Sequence, residues 1–448
     1  MRGKLITLIL SLFAYLPAAA AQYGPDEFIQ AALKNDGQFE LLLAEEMKIK
    51  YRAALSKTPA DILASVRGSY GYALPGSGAL GGSTAVSLSK YFPEAGIKIS
   101  GSYAAAKDIY GTETSSASLS LSVPVVRNAF GFSDRIIDEI AGYEEQIALL
   151  QAAEAYENYA AQLMKAYYSW YSDYASMHAG AAALAEAGRF HKNMLERKKS
   201  GVAYDADVQK SMMQLIEKKS AAAELELKYL KSLNLIKLVL NDPEPVPVKP
   251  LVFAEKAVEG SAEEIFSRTR AGMITELAVK KAGVSEAKAF NMLLPSVEAS
   301  AEMRSQGEGY GLFSNSNSVF AGFSASLPLF ASSQESARYE IEKIENARSR
   351  IAAGYGRKTY VMEIENLKAV VETRKKQAFL AAEKEETAEA VLREEKRQYS
   401  QARVSLNDLI NAVNGAEQAR FARISAEAAL SAAIIDYRRE TDTLAVKQ

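Results

Sequence analysis

One order of elements occurs twice along this sequence, and this duplication restricts the fold more than any other feature. Each copy consists of a helix, a strand-rich stretch, a long helix, a short break and a closing helix, as judged from apolar spacing. The first copy is expected to have helices over residues 26–55, from beyond 124 to 199, and 204–240, with strands over 62–126. The second copy is expected to have helices over residues 263–294, 332–401 and 406–439, with strands over 295–328. The chain is therefore expected to be one duplicated unit.

A proline-rich segment separates the two copies. Its four prolines between residues 243 and 250 exclude a helix or a central strand. The predicted divisions are a first repeat at 22–240, a linker at 241–260, a second repeat at 261–440 and a C-terminal tail at 441–448. Each long helix has about 68 residues, roughly 100 Å, and the two shorter helices of a repeat together match that length. Stacked end to end, the shorter helices would place the linker at the equatorial level where they meet.

Residues 1–21 have the order of a secretory signal peptide. Arg2 and Lys4 precede an apolar run of about a dozen residues, and three alanines at 19–21 follow it. The run is shorter than the roughly 20 residues that a membrane-spanning helix needs. We therefore expect cleavage before Gln22 and export of the mature chain.

The mature sequence has no apolar segment long enough for a membrane helix, so insertion into a membrane would have to use its strands. One chain offers about four long strands, two per repeat, whereas the smallest membrane barrels have about eight. Closure of a barrel would therefore need several chains. Two chains would supply about eight strands and three about twelve, and the sequence alone leaves the number of subunits open.

Residue types that carry catalysis or bind metals are scarce. The chain has no cysteine, and its two histidines, His178 and His191, are about 13 residues apart, far from the helical spacing of metal ligands. A phosphate-binding glycine loop and a serine nucleophile motif are missing from the sequence. Positive and negative charges are mixed along the chain. We therefore expect no enzyme activity, no metal, no cofactor and no nucleic-acid partner.

Several short motifs, in the same order as the elements, resemble the TolC-type outer-membrane efflux family over nearly the whole mature chain. They are PDEFIQAALKN at 25–35, SVPV at 122–125, NMLLPSV at 291–297 and SLPLF at 326–330. The most specific motifs are the two helix breaks, GVAYDADVQ at 201–209 and YSQARVSLNDL at 399–409. These two breaks are similar to the tips of the helical hairpins in that family.

The resemblance implies an α+β membrane protein with a tandem-repeat TolC-like fold. It implies a homotrimer whose strands, about four per chain, form a 12-stranded β-barrel in the outer membrane, continued by a long α-helical barrel in the periplasm. The function implied is a passive exit channel of a tripartite efflux or type I secretion system. The implied partners are a periplasmic adaptor protein, an inner-membrane pump or ABC transporter reached through it, and outer-membrane lipid. The alternative is a periplasmic adaptor itself, although adaptors have one hairpin rather than two.

The resemblance also assigns functional residues. The residues implied to dock the adaptor at the tips are Gly201, Val202, Tyr204, Asp207, Ala402, Arg403 and Ser405. The periplasmic gate is assigned to Asp408 and Asn411, with Asp408 about two turns into the last helix, where three carboxylates around a pore would favour cations. The other interpretation of Asp408 is a solvated carboxylate that suits a helix start.

Two positions depart from the family pattern. Ala402 replaces the usual glycine, so the second tip is expected to turn differently, because alanine resists positive φ. Asn411 stands where some members carry a second acid, which weakens the expectation of a strongly acidic ring.

Overall fold

A computed structural model describes residues 22–72, 80–108, 111–251, 260–309, 316–326 and 332–444. The predicted signal peptide, most of the exit motif at 326–330, the second half of the linker and the end of the tail lie outside these described residues.

The helices of the described residues follow the predicted order. They are α1 (Pro25–Asn35), α2 (Gly37–Ser56), α3 (Phe132–Lys199), α4 (Asp205–Leu240), α5 (Ala262–Arg268), α6 (Arg270–Met292), α7 (Ser332–Ser400) and α8 (Leu406–Glu440). The two long helices, α3 and α7, have 68 and 69 residues. Both lengths agree with the prediction. None of the helices that the structure describes has an apolar stretch sufficient to cross a membrane.

Two predicted helices are each divided in two. Asp36 interrupts the first with an extended backbone, and its carboxylate accepts a hydrogen bond from the Gln38 N–H at 3.0 Å, which caps the start of α2. Thr269 interrupts the helix of the second repeat, where its hydroxyl accepts a hydrogen bond from the Gly272 N–H at the start of α6. Short polar side chains can satisfy the free N–H groups of a new helix, and an apolar periodicity does not reveal such a restart.

The described strands form a two-stranded and a six-stranded sheet. The strands are β1 (Gln22–Tyr23), β2 (Ile62–Tyr72), β3 (Leu80–Phe92), β4 (Ile97–Lys107), β5 (Glu113–Pro124), β6 (Val246–Pro247), β7 (Ser296–Glu308) and β8 (Ser316–Ser326). β1 pairs with β6 in parallel, and the six others form an antiparallel sheet in the order β2-β3-β4-β5-β7-β8.

The prediction of about four strands per chain, two per repeat, is wrong. The first repeat supplies four strands to the six-stranded sheet and the second repeat supplies two. Within the stretch predicted to form strands, residues 84–90 lie in β3, which pairs with β2 on one side and β4 on the other. Three such chains would supply more than the twelve strands that four per chain implied.

The chain divides into two compact units. The sheet unit comprises residues 44–153 and 266–360, and the hairpin unit comprises the residues up to 43, 154–265 and 361 onward.

In the sheet unit, polar contacts link the helices in the order α2, α3, α6, α7. The Thr58 N–H, just after α2, donates to the Asp138 carboxylate of α3 at 3.0 Å. Lys281 of α6 pairs with Glu144 of α3 at 2.7 Å, and α7 is joined to α6 by a hydrogen bond from Asn346. The helix order parallels the sheet order, because α2 leads into the edge strand β2 and α7 follows the other edge strand, β8.

In the hairpin unit, a core of aromatic and aliphatic side chains surrounds the middle of α3. Its fully buried members include Phe28, Tyr167, Trp170, Ile236 and Ile435. Tyr167, Tyr168 and Trp170 are neighbouring aromatic residues of α3 that lie in this core.

The same part of α3 holds the N-terminal strand, the linker and the C-terminal end. The Tyr167 hydroxyl lies 2.8 Å from the carbonyl oxygen of Tyr23 in β1 and 2.7 Å from that of Val248 after β6. At the other end of the chain, the Leu444 N–H donates to the Glu157 carboxylate at 3.1 Å. These contacts gather three segments that are far apart in sequence.

Candidate functional site

The first hairpin tip, residues 200–204, is a tight turn between α3 and α4. Gly201 has a φ of +72°, and its N–H donates to the Lys198 carbonyl at 3.0 Å. The Val202 N–H donates to the Arg197 carbonyl at 2.8 Å. This pair of bonds is the Schellman motif, which satisfies the last carbonyls of a helix. The Asp207 carboxylate then accepts the Tyr204 N–H at 3.2 Å and closes the start of α4.

The second tip, residues 401–405, repeats this turn position for position. Ala402 adopts a φ of +55°, its N–H donates to the Tyr399 carbonyl, and the Arg403 N–H donates to the Gln398 carbonyl, both at 3.0 Å. The expectation that alanine would make this tip turn differently is therefore wrong. The backbone keeps the left-handed conformation because both terminal carbonyls gain a partner that way.

The two tips differ in the side chains that they present. Val202 and Tyr204 at the first tip are 63% and 82% exposed. Ala402, Arg403 and Ser405 at the second tip are also exposed. The structure thus places one apolar and one polar tip at the end of the hairpin unit.

The two hairpins contact each other just above these tips. The Arg197 guanidinium of α3 lies 5.1 Å from the centre of the Tyr399 ring of α7, and the Tyr399 hydroxyl donates to the Met194 sulfur at 3.6 Å. A cation over an aromatic face is attracted by the ring quadrupole.

Asp408 lies in the first turn of α8 as its third residue, so the prediction that it stands two turns into the helix is wrong. Its carboxylate accepts hydrogen bonds from the Ser405 hydroxyl at 2.6 Å and from the Ser405 N–H at 3.1 Å. The bond from the hydroxyl, followed by the bond from the N–H, lowers the pKa of Asp408. Asp408 occupies the same position in its tip as Asp207 does in the first, and Asn411, one turn later, is exposed.

Charged residues that the sequence analysis did not single out join the two hairpins. Lys218 of α4 pairs with Glu417 of α8 and donates to the Asn414 side chain at 2.8 Å, while Lys396 of α7 pairs with Glu186 of α3. A cavity of about 50 Å³ lies among these side chains. Partners so distant in sequence carry no local signal, because the pairing follows from tertiary packing alone.

The six-stranded sheet has two unlike faces. The apolar face carries Val66, Tyr70, Val86, Leu88, Ile99, Tyr103, Leu119, Leu121, Met303, Val319 and Phe323. The hydroxyl face carries Ser65, Ser69, Ser83, Ser87, Ser89, Ser100, Ser102, Ser118, Ser120, Ser122, Ser300 and Ser318. Period-two alternation predicts unlike faces, but only the register shows that the serines of neighbouring strands stand opposite one another.

Serine hydroxyls pair across neighbouring strands of the hydroxyl face. The Oγ–Oγ distances are 2.7 Å for Ser65 and Ser87, 2.6 Å for Ser100 and Ser120, and 2.9 Å for Ser102 and Ser118. On the opposite face, Val66, Leu119 and Phe323 are largely exposed in the single chain. A sheet that exposes so much apolar surface needs a partner or an apolar solvent on that side.

Within the described part of the chain, no group of three or more acidic or histidine side chains is placed to hold a metal. The Nδ1 atom of His191 instead lies 2.9 Å from the Ser211 hydroxyl.

Comparison with known proteins bears on the fold. No family model and no curated protein sequence matches the chain. Several solved structures do match. The open state of the Neisseria gonorrhoeae MtrE outer membrane channel is 17% identical, with a TM-score of 0.73 over 94% of this chain and 89% of that one.

Two further structures agree with this match. The Campylobacter jejuni CmeC outer membrane channel is 14% identical, with a TM-score of 0.72 over 94% of this chain and 85% of that one. The outer membrane protein VceC from Vibrio cholerae is 12% identical, with a TM-score of 0.70 over 93% of this chain and 95% of that one. The chain therefore has the TolC-type fold of these outer-membrane channels, the fold that the sequence motifs implied.

Proposed function

We propose that this chain forms a passive exit channel in the outer membrane, as a homotrimer whose sheets close into one shared barrel. The observation that carries the proposal is the sheet itself, which has an apolar face, a hydroxyl face and two open edges. The TolC-type fold supports it, since the solved structures with this fold include channels of the outer membrane.

The two faces suit a barrel wall between lipid and water. The six strands have 11 to 13 residues each, and about 9 to 11 residues suffice for a tilted strand to cross a bilayer. Aliphatic and aromatic side chains facing outward would lie against lipid, and serine hydroxyls facing inward would line a water-filled lumen. The hydroxyl face also carries Arg67, Glu302 and Arg304, whose charges need water, whereas the charged residues on the apolar face, Lys90, Lys107 and Glu113, lie near strand ends.

The two edges of the six-stranded sheet indicate that further copies of this chain are needed to close the barrel. Among the described residues, β2 and β8 are the two edges of the sheet, and no described strand pairs with the outer row of their backbone N–H and C=O groups; a membrane offers no water to satisfy such groups. Beside these edges, α2 exposes Met47, Tyr51 and Leu55, and α7 exposes Ile351 and Tyr355. A second copy that pairs its β2 edge with the β8 edge of the first would cover both helices by the same head-to-tail contact.

The remaining roles rest on the family resemblance and on tip geometry. We place the docking of a periplasmic adaptor at the two tips, where exposed Val202 and Tyr204 suit an apolar contact, and an inner-membrane pump would be reached through that adaptor. Asp408 and Asn411 are proposed to act at the periplasmic gate. Both are exposed at the start of α8, although Asp408 also has the capping role described above. Export would use residues 1–21 as the signal peptide.

The alternative function considered from the sequence, a periplasmic adaptor, is not favoured. The solved structures compared above match more than nine tenths of the chain and are outer-membrane proteins.

The decisive experiment is the mass of the protein extracted from outer membranes in mild detergent, measured by light scattering and corrected for bound detergent. We expect three chains. The variant Leu55→Asp puts a charge on the exposed apolar flank of α2 and is expected to release monomers. Lys50→Asp, at an exposed position about 140° around the same helix from Leu55, is the matched control. A folded wild-type monomer would overturn the proposal, because an open six-stranded sheet cannot stay in lipid.

A further inference from the structure

We infer that each chain contributes six strands to the shared barrel rather than four, so that the trimer encloses an eighteen-stranded exit with a wider lumen. The inference rests on the proposed function, because it takes the trimer as given. It differs from the twelve strands that the resemblance implied, and it comes from the hairpin formed by β2 and β3.

This hairpin is a full part of the sheet. β2 pairs with β3 over the whole of its length, from Ile62 with Lys90 to Tyr72 with Leu80. β3 in turn pairs with β4 from Gly82 to Phe92. The same two faces continue across it, since the hydroxyls of Ser69 and Ser83 lie 2.6 Å apart on the hydroxyl face. A hairpin folded away from the barrel would have no need of a lipid-facing side, yet Val66 and Tyr70 provide one.

The turn between β3 and β4, at residues 93–96, is anchored to the point where β5 leads into α3. Gly96 and Gly131 both have positive φ and pack so closely that a Cβ on Gly131 would lie 2.1 Å from the Pro93 carbonyl oxygen. The Arg135 guanidinium donates to the Glu94 carbonyl at 2.8 Å. This interlock holds the β3–β4 connection in one position, so the extra hairpin cannot slide along the sheet without breaking it.

Hydrogen bonds also join the end of β3 to the connection between β5 and α3. The Tyr91 hydroxyl donates to the buried Asp134 carboxylate, which also accepts the Asn128 side-chain amide at 2.7 Å. A buried carboxylate needs such donors, because burial without them is costly.

The widths of the two layers in the sheet unit agree with six strands. Four helices side by side, at about 9 Å each, cover roughly 36 Å of circumference. Six strands at about 4.8 Å, tilted by about 40°, cover roughly 38 Å, whereas four strands would cover only about 25 Å. With six strands per chain, a ring of sheets and a ring of helices therefore have nearly the same circumference.

The same arithmetic gives the size of the exit. Eighteen strands make a backbone ring of about 36 Å in diameter, and twelve strands make one of about 24 Å. The lumen is therefore wider by about 12 Å and is lined by serine hydroxyls. Such an opening passes bulkier solutes than a twelve-stranded exit does.

The test measures the ring directly. The chain has no cysteine, so Leu119→Cys on the apolar face of β5 provides a single spin-label site per chain. In a ring with threefold symmetry, equivalent backbone positions on two chains are separated by about 0.87 of the ring diameter. The labelled positions are therefore about 31 Å apart for eighteen strands and about 21 Å apart for twelve. Pulsed electron spin resonance resolves this difference of about 10 Å, and the reach of the label adds the same amount in both cases.

The matched control is Leu149→Cys on α3, an exposed position in the helical layer of the same unit. Twelve helices at about 9 Å predict a separation of about 30 Å there, whatever the strand number. The mass of each labelled sample is measured by light scattering. Trimers with nearly equal separations at both positions support the inference. Trimers whose Leu119→Cys separation is about 10 Å shorter than the control overturn it and leave the channel proposal standing. Monomers overturn both.

Discussion

The two hairpin tips have the same backbone turn, but the residue with positive φ is glycine at the first tip and alanine at the second. Gly201 and Ala402 have φ values of +72° and +55°, and they make the same two backbone hydrogen bonds. A Cβ at Gly201 would meet nothing within 4 Å, so Gly201→Ala adds backbone strain without a steric clash. The left-handed conformation costs a residue with a Cβ about 1 kcal/mol relative to glycine. Gly201→Ala should therefore destabilise its tip by about 1 kcal/mol, and Ala402→Gly should stabilise the other by about the same amount.

Hydrogen exchange of the tip amides measures both effects. One kcal/mol corresponds to about a fivefold change in the local opening equilibrium. Exchange at the Val202 amide should become about fivefold faster in Gly201→Ala, and exchange at the Arg403 amide about fivefold slower in Ala402→Gly. Each variant serves as the control for the other, because its unchanged tip should exchange at the wild-type rate. Unchanged or faster exchange at Arg403 in Ala402→Gly would refute the argument that alanine holds a strained turn there.

Three further predictions concern the hairpin unit. Ser405→Ala removes the helix cap and should destabilise the first turn of α8 by about 1 kcal/mol. Because the pKa of Asp408 is lowered in the folded chain, its contribution is present above about pH 4 and lost as the pH falls below that value. Exchange of the α8 amides, corrected for intrinsic rates, should therefore rise in that acidic range, and should rise less in Ser405→Ala, which keeps only the backbone N–H bond to Asp408. Lys218→Met leaves the half-buried Glu417 unpaired and should lower the melting temperature, whereas the addition of Glu417→Leu should restore most of the loss in a double-mutant cycle. Tyr167→Phe removes the single hydroxyl proton that the Tyr23 and Val248 carbonyls share, while the Tyr23 carbonyl keeps the Val248 N–H, and should cost about 1 kcal/mol, visible as faster exchange in the linker; unchanged exchange there would show that the hydroxyl does not hold the linker.

The helices were predictable because their determinants are local. The apolar spacing along α3 and α7 and the breaks at Gly201 and Ala402 led to helix ends that agree with the structure within a residue or two. The short polar restarts at Asp36 and Thr269 were missed, since a single capping residue changes the chain direction without changing the apolar pattern.

The tips were partly predictable. The motif at each break located the turn, and the structure supplies its hydrogen bonds. The left-handed alanine at position 402 was not expected, because intrinsic preference opposes it while two satisfied carbonyls favour it. The ion pairs of Lys218 and Lys396 were not found at all, as their partners lie about 200 residues away in sequence.

By itself, the sequence determined the duplicated order of elements, the lengths of the long helices and the places where the hairpins turn. These features depend on hydrogen bonds between residues three to five positions apart, so they follow from local spacing and capping. Only the tertiary structure decided the number and order of the strands, the pairing of serine with serine across them, and the anchoring of the β3–β4 turn on Gly131. Strand pairing joins segments that are distant in sequence, and its register is set by the partner strand rather than by the strand's own residues.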